Sequence, residues 1–353
     1  MFPILSFIHN QMMKKQDLNG INPNRIQSIG LDVAKEKIDI CLFDPSNEYY
    51  YQINNDYQAI KAFSDKMEWL NVNKEIPFIL ESTWDYHLLL AKILKQDWWN
   101  VKEINPIIMS NYIKHTIRWT KTDKTDSQLL SKLWIIEWNK LQTFNRSDSF
   151  IQLKKKTSSL KRIEKVIQEV SGNVRKNKET YKKMWWEIDD TIRAMENVLK
   201  ELESTKEKIK KDIESFELWE EDEKQIERLD SIIGITYLTA KIIYASCWDK
   251  KFKTKRSLLA YFWLDARLKQ SGQKAWTYKM SKRWEPFIRK ILFQSAFCWK
   301  QHYKEYEDIY LKQKEKWKHH FVCVLSVAKK IVYIMWVLMK EKRKFNPNYQ
   351  NNI

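Results

Sequence analysis

From residue 150 to residue 228 the chain contains no proline and a single glycine, and lysine, glutamate and apolar residues alternate at helical spacing throughout. Glycine and proline are the residues that interrupt regular structure, so a stretch this long without them is restricted to long helices. Ile188, Ile192, Met195, Leu199, Leu202, Lys206, Ile209, Ile213 and Phe216 step by four and three in turn, a heptad seam with Lys206 as its one polar interruption. Leu160, Ile163, Ile167, Val170 and Val174 form a second seam upstream, and the step from Met184 through Ile188 to Ile192 breaks its phase. The pattern predicts two long helices, with residues 188 to 216 as one continuous helix, pairing either antiparallel or between chains. Lys206 would then set register or sit at a rim. Ordinary core helices of a bundle are the alternative.

Before this segment the periodicity changes. Residues 27 to 33, "KIDICLF" at 37 to 43 and "YYYQI" at 49 to 53 are short strand-like runs separated by polar breaks, an antiparallel meander. A helix is predicted around 57 to 70, a strand at 76 to 82 in "IPFILES", a helix at 86 to 95, a strand in "NVKEIN" and a helix from about 126 to 140. Three strands followed by alternating helices and strands give an α/β domain with a mixed sheet, in the element order of the ribonuclease-H-like fold. After 229 the composition returns to globular. "LDSIIGITYLTAKIIYA" places Gly234 in a tight turn between two apolar helical runs, a helix-hairpin-helix-like element whose backbone amides could hold a DNA phosphate. Helices follow at about 285 to 299 and 319 to 341. The domain reading is an extension at 1–25, an α/β domain at 26–145, a helical spacer at 146–228, an α-rich C-terminal domain at 229–345 and a tail at 346–353.

Charge bounds the partners. The 353 residues include 63 Lys and Arg against 45 Asp and Glu, a net charge of +18 spread along the chain, and 43% are hydrophobic. Such a chain buries proper cores and favours a polyanion, nucleic acid ahead of a membrane surface. No uninterrupted apolar run approaches the ~20 residues of a membrane helix. "MFPILSFI" lacks the basic flank and cleavage site of a signal peptide. Cys41, Cys247, Cys298 and Cys323 show no paired spacing, which argues against zinc or a disulfide framework and points to the cytosol.

The chemistry lies in carboxylates. Asp32 ends the first strand in "IGLDVAK" and Glu81 ends the fourth in "FILES", while Asp123 and Asp126 in "KTDKTDSQLL" stand three apart at a helix start and share one face. Singly, a strand-end carboxylate reads as a surface residue and Asp-x-x-Asp as a cap. Four converging carboxylates, however, repel one another unless cations neutralise them. Two hard cations about 4 Å apart would do so and would serve a phosphodiester's attacking and leaving oxygens, with Mg2+ the obvious choice.

"IGLDVAK", "ESTWDY", "KTDKTD", the central heptads, "LDSIIGI", "YFWLDARLKQSG" and "MSKRWEPFIRKIL" together resemble the successive motifs of the insertion-sequence 110 family of bacterial transposases, over roughly residues 26 to 345. The resemblance implies a RuvC-like N-terminal domain in which Asp32, Glu81, Asp123 and Asp126 form the metal site, and a C-terminal transposase domain in which Ser271, before Gly272, is a nucleophile on DNA. It also implies a structured guide RNA that pairs with donor and target DNA. The heptad spacer, for its part, is expected to assemble the chain as a dimer or tetramer through a coiled coil. On its own, Ser271-Gly272 reads as a turn with no nearby histidine to act as base. Lys269, Lys274, Lys282, Arg283 and Arg289 would clamp phosphates beside it, or form a solvated basic face. A structure-selective nuclease using only the carboxylates, and an inactive nucleic-acid-binding remnant, are the alternative functions. His319 and His320 have no ligand-spaced partner and receive no role.

The family's pattern has glycine where this chain has Trp84, Trp263 and Trp284, and also at Trp248 and Trp276. A chain of this length would hold roughly 25 glycines at average usage; this one has 5, with 17 tryptophans. The simplest reading is that many or all of these tryptophans are UGA codons that the source reads as glycine. The competing reading is a tryptophan-rich chain whose indoles stack on bases.

Overall fold

The computed structural model of the protein describes residues 21–82, 85–115, 122–247, 252–262, 264, 266–269, 277–280 and 286–346, apart from the side chains of 107, 113–115, 266–269 and 277–280. The chain divides into two compact units, Met1–Asn145 and Arg146–Ile353.

The first unit is built on a six-stranded mixed sheet in the order β3-β2-β1-β4-β5-β6. Strands β1 (Ser28–Val33), β2 (Lys37–Asp44) and β3 (Asn47–Asn54) form the antiparallel meander that the sequence predicts. β4 (Pro77–Glu81) and β5 (Asn100–Ile104) add parallel to β1, and the two-residue β6 (Gln142–Thr143) closes the edge antiparallel. Parallel strands need crossover connections. These are supplied by α1 (Tyr57–Trp69) between β3 and β4 and by α2 (His87–Gln96) between β4 and β5. α3 (Pro106–His115) and α4 (Asp123–Glu137) follow β5. Alternation along β4 divides its neighbours. Phe78 meets Phe63 of α1 and Trp99 on one face, whereas Ile79 packs with Ile104, Met109, Leu129, Leu130 and Leu133 on the other. The fold is the ribonuclease-H/RuvC-like one, joined to an α-rich second unit.

The second unit begins with the unpunctuated stretch. Ser147 caps α5 (Asp148–Met184) and Asp189 caps α6 (Asp190–Ser215), each through a side-chain oxygen accepting a backbone N–H. The two helices run antiparallel: Lys156 pairs with Asp212 at 2.5 Å near one end, and Lys178 pairs with Glu196 near the other. Leu160, Val174, Ile192 and Ile213 are buried, and the rest of the heptad seam between Met195 and Phe216 is half-buried, Lys206 included. The antiparallel option, within one chain, is therefore the arrangement found. Ile188 is a correction: it lies in the turn between the helices and is exposed.

The rest of the unit is α7 (Glu220–Asp230), α8 (Tyr237–Cys247), α9 (Lys255–Tyr261), the hairpin β7 (Ala266–Lys269) with β8 (Thr277–Met280), then α10 (Pro286–His302), α11 (Lys304–Lys314) and α12 (His320–Glu341). Phe150, Leu153, Leu160 and Ile213 join this core, so the root of the helical pair is packed into it. Lys241 fixes that root. Its fully buried ammonium donates to the carbonyls of Glu214 (3.0 Å) and Phe216 (2.6 Å), at the C-terminal end of α6 where the helix dipole favours a cation. α12 is long and apolar enough to cross a membrane, with a mean hydropathy of 2.0. Cys323, Val327, Ile331, Met335 and Leu338 nevertheless bury one face of it in this core.

Candidate active site

The carboxylates are brought together by strand register. Leu31 pairs with Leu80 across the parallel β1–β4 ladder, so Asp32 and Glu81 come one step later on neighbouring strands and on the same face. On the other side of β1, Asp32 is paired with Asp39 of β2, and Asp39 with Gln52 of β3. One row across four strands therefore reads Gln52, Asp39, Asp32, Glu81.

Gly30 brings α4 onto this face. Two residues before Asp32, it points the same way, and a Cβ there would fall 2.1 Å from the Ser127 carbonyl oxygen and 2.4 Å from the Ser131 nitrogen. Only glycine allows so close an approach of a helix to a strand interior. Ser127 and Ser131, one turn apart and both fully buried, form the narrow face of α4 that uses the space. The Ser28 hydroxyl clamps it by donating to the Ser131 carbonyl at 2.6 Å. The N-terminus of α4 is fixed by a capping box between Thr122 and Thr125, which places Asp123 and Asp126 in the first turn.

The other three predicted carboxylates all act on Asp32 here. Burial, then the charges of Asp126, Asp123, Asp39 and Glu81, push the Asp32 carboxyl up to about 7. The arrangement is an electrostatic cluster, not a closed cage. Among the described residues no three His, Cys, Asp or Glu side chains stand close enough to hold one ion as placed. The donor set is all oxygen and strongly negative, which suits a hard divalent cation.

Two residues escaped the sequence reading. Asp39 is 1% exposed and its Oδ1 accepts from the Tyr50 hydroxyl and from Gln52 Nε2 at 2.8 Å. Lys37 Nζ lies 2.6 Å from Asp123 Oδ2 and 3.2 Å from Asp39 Oδ2. The signal was available in "KIDIC", where period-two alternation puts Lys37, Asp39 and Cys41 on one face of β2.

In the second unit Gly234 has φ +75° in the turn between α7 and α8, and its carbonyl accepts from Ser295 Oγ at 2.7 Å, tying the turn to α10. Arg289 is half-buried on α10, and Lys269 ends β7. Ser271, Gly272, Lys274, Lys282 and Arg283 lie outside the described residues, as do Trp84, Trp248, Trp263, Trp276 and Trp284.

The comparisons with known proteins fall on both units. Residues 29–177, which hold all four carboxylates, match a DEDD-type IS110 model described as "Transposase". Residues 226–311, which hold Gly234, Ser271 and the basic cluster, match "Transposase IS116/IS110/IS902 family". The chain belongs to the IS110 transposase family. A relative from Coxiella burnetii (strain RSA 493 / Nine Mile phase I), the transposase for insertion sequence element IS1111A, is 32% identical over 124 residues. That alignment covers 34% of each protein, so the chain spans about a third of the length of this curated relative. In this IS110 family member, Asp32 and Glu81 come from the sheet and Asp123 and Asp126 from a helix that Gly30 allows to touch it.

Proposed function

We propose that this IS110 family member is an insertion-sequence transposase that cuts and rejoins DNA, with Asp32, Glu81, Asp123 and Asp126 as the ligands of a divalent metal site and Ser271 as a nucleophile. The observation that carries the reading is the Asp32 carboxyl, held near neutrality by burial and by the other carboxylates of its face. Such repulsion is tolerated at functional sites and relieved by a cation. Bound Mg2+ would supply charge neutralisation and Lewis-acid polarisation of a phosphodiester. The serine step balances as transesterification. Ser271 Oγ loses its proton and bonds to phosphorus, the bond to one sugar oxygen breaks, and that oxygen leaves as a hydroxyl. The phosphoserine ester then passes the phosphorus to the hydroxyl of another strand, which regenerates the serine.

The division of labour assigns 26–145 to the nuclease domain, 146–228 to a spacer and 229–345 to the transposase domain. Gly234, Lys269, Lys274, Lys282, Arg283 and Arg289 would hold phosphates, consistent with a net charge of +18. Donor and target DNA, a structured guide RNA, a second copy of the chain and a cytosolic setting complete the proposal.

The test is a denaturant-resistant protein-DNA adduct, formed by the protein with its RNA, DNA and Mg2+. It should disappear in Ser271→Ala and in Asp32→Ala. Recombination by Ser271→Ala at the parental rate would replace this reading with a metal-only nuclease, whose nucleophile is water.

A further inference from the structure

We propose that Lys37 is a positioning residue of the carboxylate site: its ammonium is a built-in counter-ion that neutralises the cluster while no metal is bound and gives way when a divalent cation arrives. The inference rests on the metal reading above. The ammonium spans two elements, with Asp123 on α4 at 2.6 Å and Asp39 on β2 at 3.2 Å. The two partners differ in kind. Asp123 is exposed, whereas Asp39 is fully buried and oriented by Tyr50 and Gln52, which makes it an anchor rather than a mobile ligand. Lys37 itself is half-buried at the start of β2, but its stem is a flexible four-carbon chain and Asp123 is exposed, so the ammonium can leave Asp123 without disturbing the fold while staying near Asp39. Among the described residues it is Lys37 that stands within ion-pair distance of the predicted ligand Asp123, and a second positive charge beside that carboxylate opposes a bound metal.

The probe is Mn2+ alone, titrated into the full-length protein by calorimetry, with thermal melts in chelator and in saturating Mn2+. Lys37→Met should bind Mn2+ about three- to fivefold more tightly, the upper range for releasing an exposed ion pair. It should melt below the parent in chelator and recover in Mn2+. Lys37→Arg, which keeps the charge, should stay close to parental on both counts. Equal Mn2+ affinity in parent and Lys37→Met, or a melt lowered equally in both buffers, would overturn the role of Lys37 and leave the metal reading standing. No Mn2+ binding by either protein would remove the metal reading itself, and this inference with it.

A different observation carries a second inference, about which tryptophans the protein really contains. Among the described residues, three of the five non-glycine residues with left-handed backbone are tryptophans: Trp98 (φ 66°), Trp185 (φ 58°) and Trp317 (φ 52°). Each ends a helix in the same way. The N–H of Trp98, Trp185 and Trp317 donates to the carbonyl of Lys95, Lys182 and Lys314, and the next residue's N–H donates to Leu94, Tyr181 and Gln313. This pair of bonds is the Schellman motif, with the tryptophan at the position that glycine ordinarily fills. Their side chains do not explain the choice, being 85%, 94% and 97% exposed. Asn71 ends α1 by the same pair of bonds, to Glu68 and Met67, and asparagine is the tolerated substitute there.

Other tryptophans are built in by their indoles. Trp99 is buried, donates to Ser64 Oγ at 2.8 Å and packs on Phe78. Trp299 is buried among Tyr303, Tyr306 and Phe345 and donates to the Ile233 carbonyl. Trp336 donates to the Phe252 carbonyl at 3.1 Å. We infer that positions 98, 185 and 317 are glycine in the protein its source makes, encoded by UGA, while Trp99, Trp299 and Trp336 are true tryptophans encoded by UGG. Reading those six codons, and the masses of the corresponding peptides from the native source, tests the inference. UGA with glycine masses at the first three and UGG at the last three is the expected result; UGG at 98, 185 and 317 would overturn it. In the recombinant protein W98G, W185G and W317G should each raise the melting temperature, whereas W99G and W299G should lower it. A fall with W98G, W185G and W317G would count against the inference independently.

Discussion

The sheet site and the helical hairpin are held together by opposite strategies. Around Asp32 every neighbour is specified: register sets Glu81 and Asp39, Gly30 sets the approach of α4, and Ser28 locks it. The hairpin of α5 and α6 depends on one repeated seam and a few exposed ion pairs. Charge is concentrated and frustrated in the first region and dispersed in the second. A cluster that stores electrostatic repulsion needs a rigid frame, whereas a long helical pair needs only a continuous apolar stripe.

Four measurements would sharpen or break this contrast. The largest effect belongs to Asp32. Its folded carboxyl titrates at about 7, above the ordinary 3.8, so the folded state holds a proton that the unfolded state has lost. Stability should therefore fall as pH rises from about 4 to 7, by up to about 4 kcal/mol in chelator. Asp32→Asn should remove that slope, exceeding the parent at pH 8 and matching it near pH 4 in urea melts. A parental slope in the variant would place the repulsion elsewhere. Next is Gly30→Ala, whose methyl group meets α4 backbone on arrival and should cost about 3 kcal/mol by the same assay.

In the hairpin, Ile213→Ala removes a fully buried side chain at the root and should cost about 2 kcal/mol. Lys178→Ala removes an exposed pair with Glu196 and should lower stability least of the four, the loss vanishing in high salt. A loss from Lys178→Ala as large as that from Ile213→Ala would mean the ion pairs, not the seam, hold the hairpin.

What could be read from the sequence follows from how local the signal was. The meander β1 to β3 and the seams of α5 and α6 were legible because alternation and heptads repeat over many residues. α3 was missed because "PIIMSNYIKH" is too short an apolar run to show a period, and α11 because "KEYEDIYLKQK" buries only Tyr310. At the site, the four carboxylates were legible as strand ends and a helix start. The role of Gly30 was not, since it depends on which helix returns to lie over it. Lys241 was equally hidden, because nothing in "LTAKIIYA" says that its ammonium ends a helix more than twenty residues upstream.

The anchoring of α6 by Lys241 and of α5 by Phe150, Leu153 and Leu160 makes the helical pair a cantilever. With 37 residues, α5 is about 55 Å long. A tilt of one degree at its clamped end therefore displaces the free end by about 1 Å, the scale on which reacting atoms must be aligned. Stiffness at the clamp, more than the seam along the beam, sets how faithfully motion at one end is reported at the other.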